Sequence, residues 1–169
     1  MPTILDGITT NETWGAKAVA TYADPAAPKL ATEYNAATSV VLECLLVERT
    51  KPSANVEKTT LRRACSSKGR ERAGVETRQL APLRGVYNPQ DLAAPVSKAY
   101  VALAKGTVWY LTLRNGIHID TALEAADKVT IYKVSVDYRI EVEAADNDEF
   151  QWEAGLSVLD WWENVTMAA

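Results

Sequence analysis

The stretch VTIYKVSVDYRIEVE, residues Val129–Glu143, alternates apolar and polar side chains over nearly its whole length. One set is apolar except for its first member: Thr130, Tyr132, Val134, Val136, Tyr138, Ile140 and Val142. The other set is polar except for its first member: Ile131, Lys133, Ser135, Asp137, Arg139, Glu141 and Glu143. A period of two places successive side chains on opposite faces of a β-strand, and a helix does not produce it. We therefore predict one long strand whose first set packs in the core.

The predicted strand is unusually long. At about 3.3 Å per residue it spans roughly 50 Å, whereas strands in globular proteins usually have about five or six residues. A single chain of 18.5 kDa has little use for such a strand. An assembly that builds a larger wall from several chains does, so the stretch indicates self-association.

The rest of the chain adds shorter strand patterns and one helix. Strands are predicted at Ser39–Glu48, Gly74–Leu83, Thr107–Arg114 and Phe150–Val158. The last of these is predicted to pair with the long strand as an antiparallel hairpin, with Phe150, Trp152, Ala154, Leu156 and Val158 inward. Leu92–Lys105 fits an amphipathic helix that ends at Gly106. We expect residues 1–169 to form a single, mainly β domain with an antiparallel sheet and one flanking α-helix.

Several segments allow more than one interpretation. Residues 1–38 show little periodicity and are expected to form a long N-terminal arm, which packs either on a neighbouring copy or across its own subunit. Cys44 lies in an apolar run and is predicted to be a small core residue. Trp161 and Trp162 are either residues at the edge of the core or an interface patch.

Charge is unevenly distributed along the chain. Glu48 to Arg84 carries ten basic and four acidic residues, a balance of +6, and Asp120 to the C-terminus carries three basic and twelve acidic residues, a balance of −9. The basic part centres on residues 49–73, predicted to be a long basic loop or a loosely paired hairpin. The segregation indicates either two solvated surfaces or self-complementarity, in which the basic zone of one copy meets the acidic zone of the next.

Residues for catalysis, metal binding or cofactor binding are not evident in the sequence. The hydrophobic fraction of 47% is ordinary for a globular protein, and His118 is the single histidine. No hydrolase, zinc or phosphate-loop motif occurs, and the acidic pairs lack the spacing of a calcium loop. We predict no enzyme activity, no cofactor, no metal site, no membrane span and no signal peptide, and expect folding in the cytoplasm.

Several segments resemble one protein family. They are MPTILDG (residues 1–7), EYNAATSVVLE (33–43), PVSKAYVALAKG (95–106), TVWYLTLRNGI (107–117) and DTALEAADKVTIYKV (120–134). Together with the basic loop and the amphipathic C-terminal strand, they resemble the major tail proteins, or tail tube subunits, of long-tailed, siphovirus-type bacteriophages.

This resemblance implies a fold and a function. It implies a β-sandwich or barrel with a flanking helix, six copies of which form a ring with a continuous inner β-barrel. Stacked rings would form the tail tube of the virion, through which DNA is ejected without specific binding. The implied partners are other copies of the chain and the tape measure, tail terminator and distal tail proteins, with assembly in the host cytoplasm.

The resemblance also suggests which residues act in the tube. The lumen-facing candidates come from the polar set of the long strand: Lys133, Ser135, Asp137, Arg139, Glu141 and Glu143. Their charge balance of −1 suits a channel that must not bind DNA phosphates, since each neutralised phosphate adds affinity. The ring-stacking candidates come from the basic loop: Arg62, Arg63, Lys68, Arg70 and Arg72.

Two alternative functions remain compatible with the residues. One is another β-rich virion protein, such as a tail terminator or a head-decoration protein. The other is a small β-barrel domain that binds a ligand or nucleic acid through the basic loop. Against nucleic-acid binding, the loop has no interleaved aromatic residues on which bases could stack.

Overall fold

The protein is built mainly from antiparallel β-strands, as the sequence predicts. It is represented by a computed structural model that describes residues 13–61, 70–143 and 148–169. The strands are β1 (Trp14–Val19), β2 (Val40–Val41), β3 (Pro52–Leu61), β4 (Arg70–Leu80), β5 (Leu83–Val86), β6 (Val108–Asn115), β7 (Lys128–Val142) and β8 (Gln151–Thr166). A 3-10 turn at Pro95–Ser97 leads into helix α1 (Lys98–Ala102), and Leu30–Tyr34 forms one π-helical turn.

Within the described residues, six strands form one curled sheet, a half-barrel, in the order β2-β1-β6-β7-β8-β5. The remaining strands, β3 and β4, pair with each other as a separate two-stranded ribbon. One side of the sheet, here called the core face, packs against Ala99 and Leu103 around α1 and against Leu42 and Tyr87. Each large apolar side chain buried here contributes about 1.5–3 kcal/mol. The helix and the loops thus cover the core face. The resemblance implied that a second sheet would lie there, as in a sandwich.

The predicted hairpin of two long strands is confirmed, but the predicted alternation is interrupted. Val136 on β7 pairs with Leu156 on β8, and Tyr138 pairs with the very next residue, Gly155. Asp137 is therefore an extra residue without a cross-strand partner, which defines a β-bulge. Because one extra residue reverses the side-chain parity of the strand, residues beyond Asp137 point to the face opposite to that predicted.

The bulge divides the predicted core set of β7 into two parts. Tyr132, Val134 and Val136 are almost completely buried on the core face, as predicted. Tyr138 and Ile140 are 38% and 52% exposed, and Val142, only half-buried at the end of β7, lies on the same side as Ile140, so the prediction that these three residues pack in the core is wrong. Apolar and polar residues still alternate in the sequence at Asp137, but Asp137 itself has no partner on β8.

The first half of β7 is covered on its second face as well. Val129 and Ile131 are buried there in a smaller cluster with Tyr22, Tyr34 and Met167. The cluster forms because residues 20–34 cross this part of the sheet after β1, which itself pairs with β6. Of the predicted arm, residues 13–38 therefore contribute a strand and a cover to their own subunit, while residues 1–12 lie outside the described residues.

Four further predictions need correction. The helix is shorter than Leu92–Lys105, and Ser39–Glu48 contains only the two-residue strand β2 followed by turns. Cys44 is exposed on one of these turns and is not a core residue. Phe150 precedes β8 and is 58% exposed, although the rest of its predicted inward set lies on the core face. Trp161 and Trp162 are half-buried and pack on the two clusters, as residues at the edge of the core do.

Deleting Asp137 is expected to leave the fold intact. Removal of the extra residue makes the pairs Val136–Leu156 and Tyr138–Gly155 adjacent in a regular ladder, so no side chain changes face. The loss is the 2.7 Å hydrogen bond between the Asp137 carboxylate and the Ser157 hydroxyl. We expect chemical denaturation to show a decrease in unfolding free energy of no more than about 1.5 kcal/mol.

Deletion of Thr112 is the control, because this residue lies in the middle of β6, whose ladders with β1 and β7 are both regular. Its removal shifts one half of β6 by a residue and exchanges the two faces of that half. We expect this variant to lose cooperative unfolding. Equal destabilisation by the two deletions would contradict the assignment of the bulge.

Candidate assembly surfaces

The side of the sheet opposite the core face is partly uncovered. Beyond the cover formed by residues 20–34, this open face is made of cross-strand neighbours from β6, β7 and β8, because directly paired residues share a face. Its members before the bulge are Val108, Tyr110, Lys133, Ser135, Ser157 and Asp160. Its members beyond the bulge are Tyr138, Ile140, Gly155 and Glu153, joined by Arg84 of β5.

The charges of the open face are paired with neighbours. Arg84 Nη2 donates to Glu153 Oε2 at 3.0 Å, and the Tyr138 hydroxyl donates to Glu153 Oε1 at 3.0 Å. The hydrogen bond to Glu153 is the main cause that raises the pKa of Tyr138, followed by burial. Lys133 Nζ lies 5.7 Å from the centroid of the Tyr110 ring. Together with Asp137 and Asp160, the face has two basic and three acidic side chains, a balance of −1 that resists binding of phosphate.

The predicted lumen-facing residues do not share one face. Lys133 and Ser135 lie on the open face, and the Asp137 carboxylate reaches Ser157 there. Arg139 and Glu141 pair with the buried residues Ala154 and Trp152 and therefore lie on the core side. The prediction of a common face for all six residues is wrong because of the bulge. Glu143 is exposed just after β7 ends.

Arg139 and Glu141 contact aromatic residues on the core side. The Arg139 guanidinium stacks 3.9 Å from the centroid of the Tyr100 ring and donates to the Tyr100 carbonyl. Tyr100 in turn stacks on Tyr87 with a centroid distance of 4.4 Å. Burial, together with a hydrogen bond to Glu141, raises the pKa of Tyr87. Arg139 therefore fixes the helical segment to the sheet, Glu141 binds Tyr87 just after β5, and neither contributes to the open face.

The ribbon of β3 and β4 is the second exposed surface. Its ladder runs from Pro52–Leu80 to Leu61–Arg70, so the sequence alternative of a long hairpin is the correct one. Val56 and Val75 on it are 40% and 66% exposed. A two-stranded hairpin whose faces are in contact with water is only marginally stable. Contact with another surface would therefore stabilise the ribbon.

The ring-stacking candidates belong to this ribbon and its connection. Arg62, Arg63 and Lys68 lie outside the described residues. Arg70 and Arg72 belong to β4, where Arg72 is exposed and pairs with Thr59. Their role in ring stacking stays a prediction. Arg70 and Arg72 lie on strand β4.

One arginine fastens the base of the ribbon to the main sheet. Arg78 Nη2 lies 2.8 Å from Glu76 Oε1 and 3.1 Å from Glu163 Oε1 on β8. Its guanidinium also lies 5.6 Å from the centroid of the Trp161 ring. A forked, planar cation is suited to two carboxylates and an aromatic face at once, which lysine is not. No local pattern in the sequence predicts this contact, because Arg78 is one of many basic residues in the segment.

Replacing Arg78 with alanine is expected to loosen the ribbon without unfolding the sheet. Because the contacts are half-exposed, we expect the unfolding free energy to fall by only about 1 kcal/mol. Amide hydrogen exchange of β3 and β4 should increase, while exchange of β6 and β7 stays unchanged. Arg72→Ala, which removes an arginine farther along the same strand, is the control. Unchanged exchange in the ribbon of the Arg78 variant would contradict the anchoring role.

A buried ion pair lies beneath the loop between β6 and β7. Arg114 Nε lies 3.1 Å from Glu43 Oε1, and Arg114 donates to the carbonyls of Thr121 and Ile119 at 2.6 and 2.7 Å. Gly15 lies beneath the pair, and a Cβ at this position would overlap both side chains. Burial raises the pKa of Glu43, and the charge and hydrogen bond of Arg114 oppose this shift. The pair fastens the loop to the sheet and borders a pocket of about 270 Å³.

Features of catalytic or membrane proteins are not prominent in the described part of the chain. No group of three or more histidine, cysteine, aspartate or glutamate side chains there is arranged to hold a metal ion. His118 is exposed, with Nδ1 3.6 Å from the Asp120 carboxylate. No helix within the described ranges is long and apolar enough to cross a membrane.

The fold and its surfaces define a class of protein: a β-sheet protein in which the described residues leave part of one sheet face and a two-stranded ribbon exposed, as surfaces at which other chains can bind. A comparison with family models matches the phage tail tube protein family over residues 1–169. The chain therefore belongs to the phage tail tube protein family, whose members are structural proteins of the virion tail. A comparison with curated protein sequences finds no match.

Proposed function

We propose that this protein assembles into hexameric rings, which stack into the tube through which the phage ejects its DNA. The observation that carries the proposal is the long β7–β8 hairpin, which has a packed core face and an open face that, beyond residues 20–34, no other described segment covers. In a ring, neighbouring copies extend the curled sheet into a closed inner barrel. Closure removes the exposed strand edges that would make a monomer prone to aggregate.

The lumen is lined, in this proposal, by the open face before the bulge. Lys133, Ser135 and Asp137 remain candidates, and their neighbours Ser157 and Asp160 on β8 join them. Arg139 and Glu141 are removed from the lining because they lie on the core side, where they contact Tyr100 and Tyr87. Besides Val108 and Tyr110, the remaining side chains are polar, and the one cation among them, Lys133, lies over the Tyr110 ring, so the DNA backbone passes without a row of free cations to retain it.

Stacking of the rings is assigned to the basic ribbon, including the candidates Arg62, Arg63, Lys68, Arg70 and Arg72. Head-to-tail contacts of this kind repeat without limit when they translate along an axis, as a tube requires. Tube length would be set outside this chain by the tape measure, tail terminator and distal tail proteins. Assembly in the host cytoplasm requires no membrane.

Negative-stain electron microscopy of the purified protein, with and without its partner tail proteins, tests the proposal. Long hollow tubes with a regular axial repeat are expected. Isolated rings that never stack would favour a tail terminator or a head-decoration protein. A monomer that binds DNA would favour the small β-barrel domain, and either result would overturn the proposal.

A further inference from the structure

In the described part of the chain, the main sheet has one edge strand with a free outer side. At one edge, residues 45–47 cover β5, because the Val47 N–H donates to the Arg84 carbonyl at 2.9 Å and the Val86 N–H donates to the Leu45 carbonyl at 3.0 Å. At the other edge lies β2, and no described segment pairs with its outer side. A strand from another chain can therefore join the sheet at β2.

The backbone of Val41 points to the free side of β2. In the antiparallel ladder with β1, Val40 lies opposite Ala18, and the Leu42 N–H donates to the Ala16 carbonyl at 2.9 Å. In such a ladder every second residue bonds to the partner strand, and the residue between directs its N–H and C=O away from it. Val41 is the residue between, so it offers one donor and one acceptor to an added strand.

A cavity lies on each side of β2. On the core side, a mainly apolar groove of about 310 Å³ is lined by Val40, Cys44, Leu45, Pro95 and Lys98. On the other side lies the pocket of about 270 Å³ beside the buried ion pair, with charged and apolar walls. Successive side chains of an added strand point to opposite sides and would enter the two cavities in turn. The edge thus fits an extended segment with an apolar residue next to a polar one.

Residues 1–12, which lie outside the described residues, contain a segment of this kind. The sequence TILD at residues 3–6 has β-branched and apolar residues followed by an acidic one. Leu5 suits the apolar groove, and Asp6, on the opposite face of the same strand, suits the charged pocket. Eight residues separate Leu5 from Thr13, so roughly 26 Å of extended chain can span the distance to a binding site.

The position of Thr13 favours a site on a second copy. Thr13 leads directly into β1, and residues 42–49 of the same chain lie beside the start of this strand. The Arg49 guanidinium there is 5.5 Å from the centroid of the Trp14 ring. To reach β2 of its own subunit, the N-terminal segment would have to cross residues 42–49. Reaching β2 of a neighbouring copy requires no such crossing.

We infer that the N-terminal segment of one copy, residues 1–12, adds as a strand to β2 of a neighbouring copy, with Leu5 in the apolar groove. The inference rests on the proposed function, which brings copies side by side, and it names one contact between them. Strand addition takes its affinity from backbone hydrogen bonds and its specificity from the cavities beside the strand. Each copy donates one segment and receives another, so the contact is heterologous.

Disulfide cross-linking of the assembled full-length protein tests the docking. Cys44 lines the groove and is exposed, so Leu5→Cys places a second thiol beside it. Cys65→Ser in the same chain leaves Cys44 as the one native thiol. After oxidation with copper phenanthroline, we expect a ladder of covalently joined subunits on a non-reducing gel. Asp6→Cys, on the opposite face of the added strand, is the matched control and should give little cross-linking, because its Cβ points away from Cys44.

Val41→Pro tests the free edge itself. Proline removes the N–H that faces the free side and no hydrogen bond to β1, and it is tolerated on an edge strand of this kind. We expect thermal unfolding of the subunit to stay nearly unchanged and the yield of the Leu5→Cys cross-link to fall about fivefold or more. Val41→Thr, which keeps the N–H and the β-branched shape, is the control and should cross-link as the parent does.

The outcomes separate the docking from the proposed function. If tubes form but Leu5→Cys reacts with Cys44 of its own chain, or gives no cross-link, the docking inference is overturned while the proposed function stands. Equal cross-linking by Asp6→Cys, or an unchanged yield with Val41→Pro, overturns it as well. If the wild-type protein forms neither rings nor tubes with its partners, the proposed function fails and the docking fails with it.

Discussion

Replacing Arg114 with alanine is expected to lower the free energy of unfolding by about 3–5 kcal/mol at neutral pH. The substitution leaves Glu43 as a buried carboxylate without its cation and leaves the carbonyls of Ile119 and Thr121 without a donor. Lys17 is nearby, but its Nζ donates to Asn35 Oδ1 and lies over the Tyr34 ring, so it does not supply the donors that Arg114 directs to Glu43 and the two carbonyls. Urea unfolding followed by circular dichroism measures the loss.

The effect of this substitution should depend on pH in a defined direction. Burial already raises the pKa of Glu43, and removal of Arg114 raises it further. A carboxyl group with a raised pKa in the folded state binds its proton more tightly there than in the unfolded chain. The folded variant is therefore favoured as the pH falls from the raised pKa towards the ordinary value of glutamate. The difference from the wild-type protein should shrink at acidic pH.

Arg84→Ala is the control for the Arg114 variant. Arg84 pairs with Glu153 at 3.0 Å, but its side chain is 40% exposed, so its loss should cost no more than about 1 kcal/mol. If the two alanine variants lost the same stability, or if the Arg114 variant showed no pH dependence, the buried pair would not hold the loop as described.

Replacing Trp152 with alanine is expected to have the second large effect, again about 3–5 kcal/mol. Trp152 is fully buried, its ring packs close to Gly85, and its Nε1 donates to the Val86 carbonyl at 3.2 Å. It also lies edge-on to Tyr100 at a centroid distance of 6.3 Å. The substitution leaves a cavity where β5, β8 and the helical segment meet, which surrounding side chains cannot fill.

Trp161→Ala, on the same strand, is the matched control because Trp161 is only half-buried at the edge of the core. We expect it to cost roughly half as much, since less apolar area is lost from the interior. Calorimetric unfolding of both variants measures the two losses of stability. A larger loss for the Trp161 variant would contradict the placement of the core on the first half of β8.

Much of the fold was predictable from side-chain period. Alternation from Tyr132 to Val136 predicted the core face correctly, and the polar turn at residues 144–148 predicted a hairpin. The bulge was not predictable, because Asp137 continues the alternation in sequence and only the pairing with β8 makes it an extra residue. Ser39–Glu48 was assigned as a strand from its apolar residues alone, but only two of them join the sheet.

The surfaces were predictable to a lesser extent. The uneven distribution of charge identified a basic segment around the ribbon and an acidic zone from Asp120 to the C-terminus, since composition along the chain suffices for that. The Arg78 contact and the Arg114–Glu43 pair join residues far apart in sequence, and no local pattern marks such pairs. Glu43 is the single charge within the apolar run of residues 40–47. A charge in this position signals a buried partner whose identity only the fold provides.

A cryo-electron microscopy reconstruction of the assembled tube tests the central claim most directly. The account predicts a hollow tube of stacked rings whose channel is lined by Lys133, Ser135 and Asp137, with Arg139 and Tyr100 on the side away from the channel. Helix α1 on the channel wall, Arg139 in the lumen, or a solid assembly without a channel would contradict it.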